Sequence, residues 1–398
     1  MRERNVRTML LLLLLLLFWG GTVGYAGEVR GVSKDTITLG IISDITGPAA
    51  DTWGPMNEGT KNYLRYANEQ GGINGRKIKV IHEDDHYSAP VALAAFKKLV
   101  YRDKIFVLMG PGGTSQATAL LPRIMKERLP TVYLAPAERL VTPVRRFFFI
   151  PGASYEDEVR VIFDYLARDL KKKNPKVGFF CANSEFGKGG LDAARKRAKK
   201  YGFKLAREEF APVGVIDAST QVMGFKRSKV DFVISHHNMT STLVFLKTAK
   251  KFAYNPTTFG TFYSVTEELL KATGSGAKKY YGVHSYNAWY DNSPGMKDLK
   301  EIAEQYHPGK GQRNRDYING WTMAMVMVEG LKRAGKALTP EKVVEGLESL
   351  KNFDTRGLCG PISYSPDNHK SSEYCKIYKA DVEKKIFLPI TEWLSPVD

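Results

Sequence analysis

Cysteine is scarce in this chain, acidic residues are outnumbered by basic ones, and past the first residues long apolar runs are missing. The chain holds 3 Cys in 398 residues, and the first is Cys181. That is too few for a disulfide-built scaffold. The familiar enzymatic signatures are missing: no Gly-x-Ser-x-Gly elbow, no Gly-Lys-Ser/Thr phosphate loop, no paired zinc spacing on a helix. Cys181 ends the apolar run Val177-Gly178-Phe179-Phe180-Cys181, a strand rather than an activating helix N-terminus, so it reads as a buried inert thiol. The residues therefore point away from an enzyme, and they call for no cofactor. Past the first residues no apolar run approaches the ~20 residues of a spanning helix. There is no internal repeat and no low-complexity linker. Acids number 42 against 59 Lys and Arg, a net charge of +17. The basic residues are spread over helix faces, as at Lys171-Lys172-Lys173, and read as solvated exteriors. Nucleic acid is not an expected partner; mild attraction to anionic ligands or surfaces is the more modest reading.

What is present begins with a secretory leader over residues 1–26. Arg2, Arg4 and Arg7 precede the apolar stretch 10–19, and Gly24-Tyr25-Ala26 offers a small-x-small cleavage site. No Cys lies near Ala26, so the expectation is a soluble periplasmic protein rather than a lipoprotein. Removal of the leader leaves 372 residues, suited to two lobes rather than one core. Short apolar runs at 37–42, 78–82, 105–109, 132–134, 177–181, 232–235, 259–262 and 281–284 read as strands. Helical periodicity fills 56–69, 91–101, 116–128, 156–172, 187–201 and 240–252, then a long stretch over 296–335 and another over 340–350. Strand–helix alternation with such connectors predicts α/β architecture with parallel sheets covered on both faces. Cys359 and Cys375 flank an expected hairpin, 360–365 and 372–379 around Pro366-Asp367-Asn368, and are predicted to bridge across it.

The most specific stretch is Asn68-Glu69-Gln70-Gly71-Gly72-Ile73-Asn74-Gly75, a helix stop and an Asn-Gly turn followed by the alternating strand residues Lys77-Ile78-Lys79-Val80. With Ile37-Thr38-Leu39-Gly40, Thr46-Gly47-Pro48, Trp53-Gly54 and Asp84-Asp85, it resembles the type I solute-binding proteins of ABC importers. The similar branch is the one named for leucine, isoleucine and valine. The resemblance implies two lobes, each a mostly parallel sheet flanked by helices, with three interlobe crossings. Lobe one would be 28–151 with 286–355, and lobe two 152–285 with 356–398. It further implies a monomer that closes on a small carboxylate-bearing ligand and delivers it to an inner-membrane permease and its ATPase. A sensory binding protein that reports to a partner without transport is the alternative.

The residues that resemblance singles out are these. Gly113, Thr114 and Ser115 fall where the family holds its ligand carboxylate, at a strand end opening a helix. Ala135 and Ala137 fall where it makes backbone contacts, and Trp53 where an aromatic packs on the ligand. Arg139 stands where the family has Ser or Thr, either clamping a carboxylate or displaced to the surface. In lobe two Phe186 replaces the family's Tyr, and Asn238 a second Tyr. Phe262-Tyr263 occupy the place of the acid that pairs with an amino acid's ammonium. Without that acid, a hydrophobic or aromatic carboxylate is expected ahead of a branched-chain amino acid, unless Glu185, Glu267 or Glu268 substitutes. His82, Asp84 and His86 share a strand face that could reach a metal, but a polar strand end is the preferred reading and no metal is expected. His236-His237 read as cleft lining.

Overall fold

The computed structural model describes residues 29–110, 112–133 and 135–397. The leader and its cleavage point lie outside the described residues. Five strands, β1 (Thr36–Ser43), β2 (Lys77–Asp84), β3 (Val107–Met109), β4 (Thr131–Val132) and β5 (Phe148–Phe149), form an all-parallel sheet in the order β2-β1-β3-β4-β5. A second sheet is ordered β12-β11-β10-β9-β8-β6-β7. Its strands β6 (Lys176–Ala182), β7 (Lys204–Ala211), β8 (Phe232–His236), β9 (Thr257–Thr261) and β10 (Tyr280–His284) are parallel. The antiparallel strands β11 (Lys376–Asp381) and β12 (Ile386–Pro389) extend it at one edge.

Helices α1 (Ala50–Glu69), α2 (Ala89–Lys97) and α3 (Thr114–Lys126) cover the first sheet, followed in chain order by α4 (Tyr155–Asp164), α5 (Glu185–Tyr201), α6 (Ser219–Arg227), α7 (Met239–Lys251) and α8 (Glu267–Thr273) around the second. The chain then returns to lobe one for α9 (Pro294–Tyr306), α10 (Arg315–Arg333) and α11 (Pro340–Glu348), whose apolar faces join the core beneath β1–β5. Three segments therefore pass between lobes, and they lie side by side. Ile150 bridges Lys370, Tyr286 bridges Cys359, and the Tyr286 hydroxyl donates to Pro151 O at 3.1 Å. The Asn-Gly turn forms as read, with Asn74 at φ 50° and Gly75 at φ 90°. At the exit of β3, Gly110 has φ 108°, and a Cβ there would sit 2.1 Å from Ile42 O. Only glycine lets this loop pass so close to β1.

Three expectations are corrected. The long stretch 296–335 is two helices, because His307-Pro308-Gly309 ends α9 and a second N-cap, Asn314, starts α10. β7 was missed: KLAREEFA is a half-exposed edge strand with little apolar signal. The Cys359–Cys375 bridge is not formed, and all three cysteines are free and buried. The hairpin meant to join them closes at Ser365 and Asn368, but its arms are taken by other partners. Ile362 pairs with Phe353, Cys359 with Tyr286 and Cys375 with Leu394. The two thiols then turn to different carbonyls, Gly360 O and Glu373 O.

Candidate functional site

In both lobes the parallel strands end at the same crevice, where loops and helix N-termini converge. The cleft between them opens to solvent, and about 340 Å³ of space lies within and at its mouth. Lobe one lines it with Ala49, Thr52 and Trp53 of α1, Tyr87 after β2, Gly112, Gly113 and Thr114 at the start of α3, and Ala135 after β4. Lobe two contributes Tyr155 of α4, Phe186 of α5, Val213 after β7, Asn238 before α7 and Tyr263 after β9.

Three carboxylates hold the lobe-one loops in place. Asp44 accepts from the amides of Gly47 (2.5 Å) and Ala49 (2.8 Å). Asp84 accepts from the Ile45 amide and the Thr46 hydroxyl, and Asp85 from the amides of Tyr87 (2.9 Å) and Gly112 (3.0 Å). The three groups lie within 4.8 Å of one another, and burial pushes the Asp85 carboxyl up to about 6. Their oxygens accept from backbone amides and, at Asp84, from the Thr46 hydroxyl, the bonding of a polar strand end. The two histidines of the metal reading diverge: His82 bonds Ser43 at 2.8 Å, while His86 sits 3.2 Å from Asp84.

Thr114 is the first residue of α3 and is 1% exposed, with Oγ1 making no hydrogen bond. Unpaired N–H groups at such a terminus favour an anion. Across the cleft, Asn238 caps α7 by accepting from Ser241 N, which leaves its buried Nδ2 without a partner. Two unsatisfied donors thus face one cleft. Around them the walls are aromatic. The Tyr155 and Tyr263 hydroxyls are 2.6 Å apart, and the Tyr155 ring lies 5.0 Å edge-on to Phe186. His236 supports Phe186 from behind, bonding its carbonyl at 3.1 Å. Burial holds the His236 imidazole neutral, down at about 3.

Of the residues expected to form the site, Trp53, Gly113, Thr114, Ala135, Phe186, Asn238 and Tyr263 line the cleft. Ser115, Ala137, Arg139 and Phe262 do not. Ser115 is half-buried beside it, and Ala137 is buried beneath the loop. Phe262 stacks on His284 at 4.6 Å. Arg139 pairs with Glu185 across the lobes, in a separate depression with Glu138, Glu156 and Arg160. None of the lining residues is acidic. Glu185 is engaged by Arg139 and Lys188, Glu267 pairs with Arg315 at 3.1 Å, and Glu268 is exposed. Tyr87 and Tyr155 are lining residues that sequence reasoning missed. Tyr87 follows Asp85 with a positive φ of 54°, a turn that no residue pattern around it announces.

Glu156, at the second position of α4, is 7% exposed and accepts from the Glu138 amide at 3.0 Å. Burial, with the like charges of Glu138 and Asp157 adding, pushes its carboxyl up to about 7. A carboxyl raised on folding takes up a proton as the chain folds. Its contribution to stability therefore falls as pH rises from the unfolded value toward the folded one. Between roughly pH 6 and 8 wild type should lose about 1 kcal/mol more stability than Glu156→Gln, which keeps the other raised carboxyls such as Asp85. Parallel melting curves with equal slopes would refute this.

Two α/β lobes joined by three segments, with a cleft lined from both, have the architecture of a binding protein. Residues 36–385 match the periplasmic binding protein family model, and the chain belongs to that family. A Leu/Ile/Val-binding protein of Rhizobium johnstonii is 24% identical over 355 residues, 87% of this chain and 92% of that one. A homologue of that name from Brucella melitensis is 22% identical, covering 93% and 97%. Among solved structures, a branched-chain amino acid ABC transporter protein from Thermus thermophilus with bound valine superposes with TM-score 0.84. It is 26% identical, with 91% of this chain and 97% of that one covered. A fatty acid ABC transporter substrate-binding protein from Thermomonospora curvata has the same fold, with TM-score 0.83 at 20% identity and coverage of 92% and 94%. Members of the family bind small ligands, work with a permease and act in the periplasm or outside the cell.

Proposed function

We propose that this protein is the solute-binding component of an ABC importer that captures a small hydrophobic or aromatic carboxylate. The leader is cleaved near Ala26, and the mature monomer closes its lobes, 28–151 with 286–355 and 152–285 with 356–398, over the ligand. The closed form then engages the permease and its ATPase. Thr114 and Asn238 hold the carboxylate from opposite sides, and Trp53, Tyr87, Phe186 and the Tyr155–Tyr263 pair enclose the apolar body. The observation carrying this reading is the combination of two buried unpartnered donors with the absence of any acid in the lining. A bound ammonium would lie there without a counter-charge, which costs several kcal/mol.

The names of the relatives favour a second reading, a branched-chain amino acid. Calorimetry separates the two: leucine against 4-methylpentanoate, and phenylalanine against 3-phenylpropanoate, at neutral pH. The des-amino acids should bind at least as well as their amino acids. Amino acids binding more than tenfold tighter, about 1.4 kcal/mol, would transfer the assignment to the second reading.

A further inference from the structure

We propose that the end of lobe two farthest from the cleft is an attachment surface for anionic phospholipid bilayers. The parallel strands β6–β10 all begin at that end, and the helices that precede them end there. It is formed by residues 168–176, 199–204, 226–231, 250–257 and 271–280. These five segments hold sixteen Lys or Arg and two acids, Asp169 and Asp231, a net +14 in a chain whose total is +17. The adjoining β11–β12 turn balances Asp381 and Glu383 with Lys384 and Lys385. Fifteen of the sixteen cations are exposed. Among the described residues none of them is ion-paired; the bridges of this lobe use Arg160, Lys188, Arg195, Arg197, Arg207 and Lys370 instead.

The corresponding end of lobe one is built differently. There several of the cations are neutralised in place, by pairs such as Arg30–Glu127, Arg102–Asp103, Arg128–Glu341 and Arg333–Glu329, while others such as Lys34, Lys104 and Lys336 are not. Lysines in the last turn of a helix offset its dipole, which explains some of the sixteen. It does not explain Lys171-Lys172-Lys173, Lys204, Lys229 or Lys279, which lie beyond the helix ends. A cost in self-repulsion of this kind is relieved by a surface of opposite charge.

The chemistry favours a bilayer over nucleic acid. Fourteen of the sixteen are Lys, point charges without the fork that reads phosphate and base edges, and they are spread over five loops. The exposed apolar side chain among them, Leu170, adjoins the lysine triplet. Because strands of five to eight residues separate this end from the cleft, ~17–27 Å, attachment leaves the ligand site open.

Co-sedimentation of the mature protein tests this, using vesicles of phosphatidylcholine alone or mixed with phosphatidylglycerol, at low and high salt. Binding is expected to the mixed vesicles only, and to be released by salt. Each lysine near an anionic bilayer raises partitioning about fivefold, so Lys171→Ala, Lys172→Ala and Lys173→Ala together should lower it about a hundredfold. Lys34→Ala, Lys104→Ala and Lys336→Ala, at the other lobe, should leave it unchanged. Melting temperatures would verify that each variant is folded. No binding to mixed vesicles at low salt, an unaffected triplet variant, or a preference for a duplex oligonucleotide over the vesicles would overturn the proposal.

Discussion

Glu267→Gln is expected to destabilise the protein by about 3–5 kcal/mol, the cost of leaving a buried charge without its partner. Arg315 starts α10 in lobe one and Glu267 starts α8 in lobe two, and their side chains are 1% and 4% exposed. The guanidinium lies 4.4 Å over the Tyr378 ring, and its Nε and Nη2 have no partner. Water cannot reach it to compensate. The reverse variant should be milder. Burial already raises the Glu267 carboxyl above its ordinary value against the pull of Arg315. Once Arg315→Met removes that pull, Glu267 can take a proton and become neutral. The milder variant should therefore regain stability as pH falls, while Glu267→Gln should not. Urea unfolding of both variants at neutral and mildly acidic pH measures this; equal losses with no pH dependence would show that the pair acts by packing alone.

Thr114→Val should weaken the tightest-binding acid by about 1.5–3 kcal/mol, the usual worth of a hydrogen bond to a charged group. That corresponds to a loss of roughly tenfold to over a hundredfold in affinity. Valine keeps the volume and the β-branch but removes Oγ1. Ser115→Ala, one residue on and outside the lining, should change affinity little. Calorimetry on the two variants separates an anchor from a general helix-start effect. If both lose affinity equally, or neither does, Thr114 is not the anchor.

The core strands were legible because a strand buried on both faces reads as a continuous apolar run, as in β1 and β6. The edge strand β7 alternates half-exposed polar residues, so its signal drowned. The break between α9 and α10 was written in Pro308-Gly309 and passed over, since the apolar period resumes beyond it. Within the site, residues fixed by local helix starts could be placed from sequence: Thr114 begins α3, and Asn238 caps α7. Residues brought in from a distance could not. Tyr155 lines the cleft because the chain has just crossed between lobes, and Tyr87 because Asp85 clamps its amide. Arg139 aligned with a ligand contact, but a short 3-10 turn, Glu138–Leu140, turns it toward Glu185 instead.

The three connecting segments carry a mechanical consequence. Tyr286 sits among them: its backbone bridges Cys359, its hydroxyl reaches Pro151 O, and its carbonyl receives the Tyr378 hydroxyl at 3.2 Å. Asn287 N adds a bond to Leu358 O at 2.9 Å, and Ile150 O one from Ser371 N at 3.1 Å. Three strips of backbone stitched at that density resist sliding past one another, much as a book's spine resists shear while letting the covers swing. The proposed closure then reduces to one angular coordinate. A single pair of fluorophores, one on each lobe, would follow the whole motion, and a second pair placed elsewhere should report the same populations.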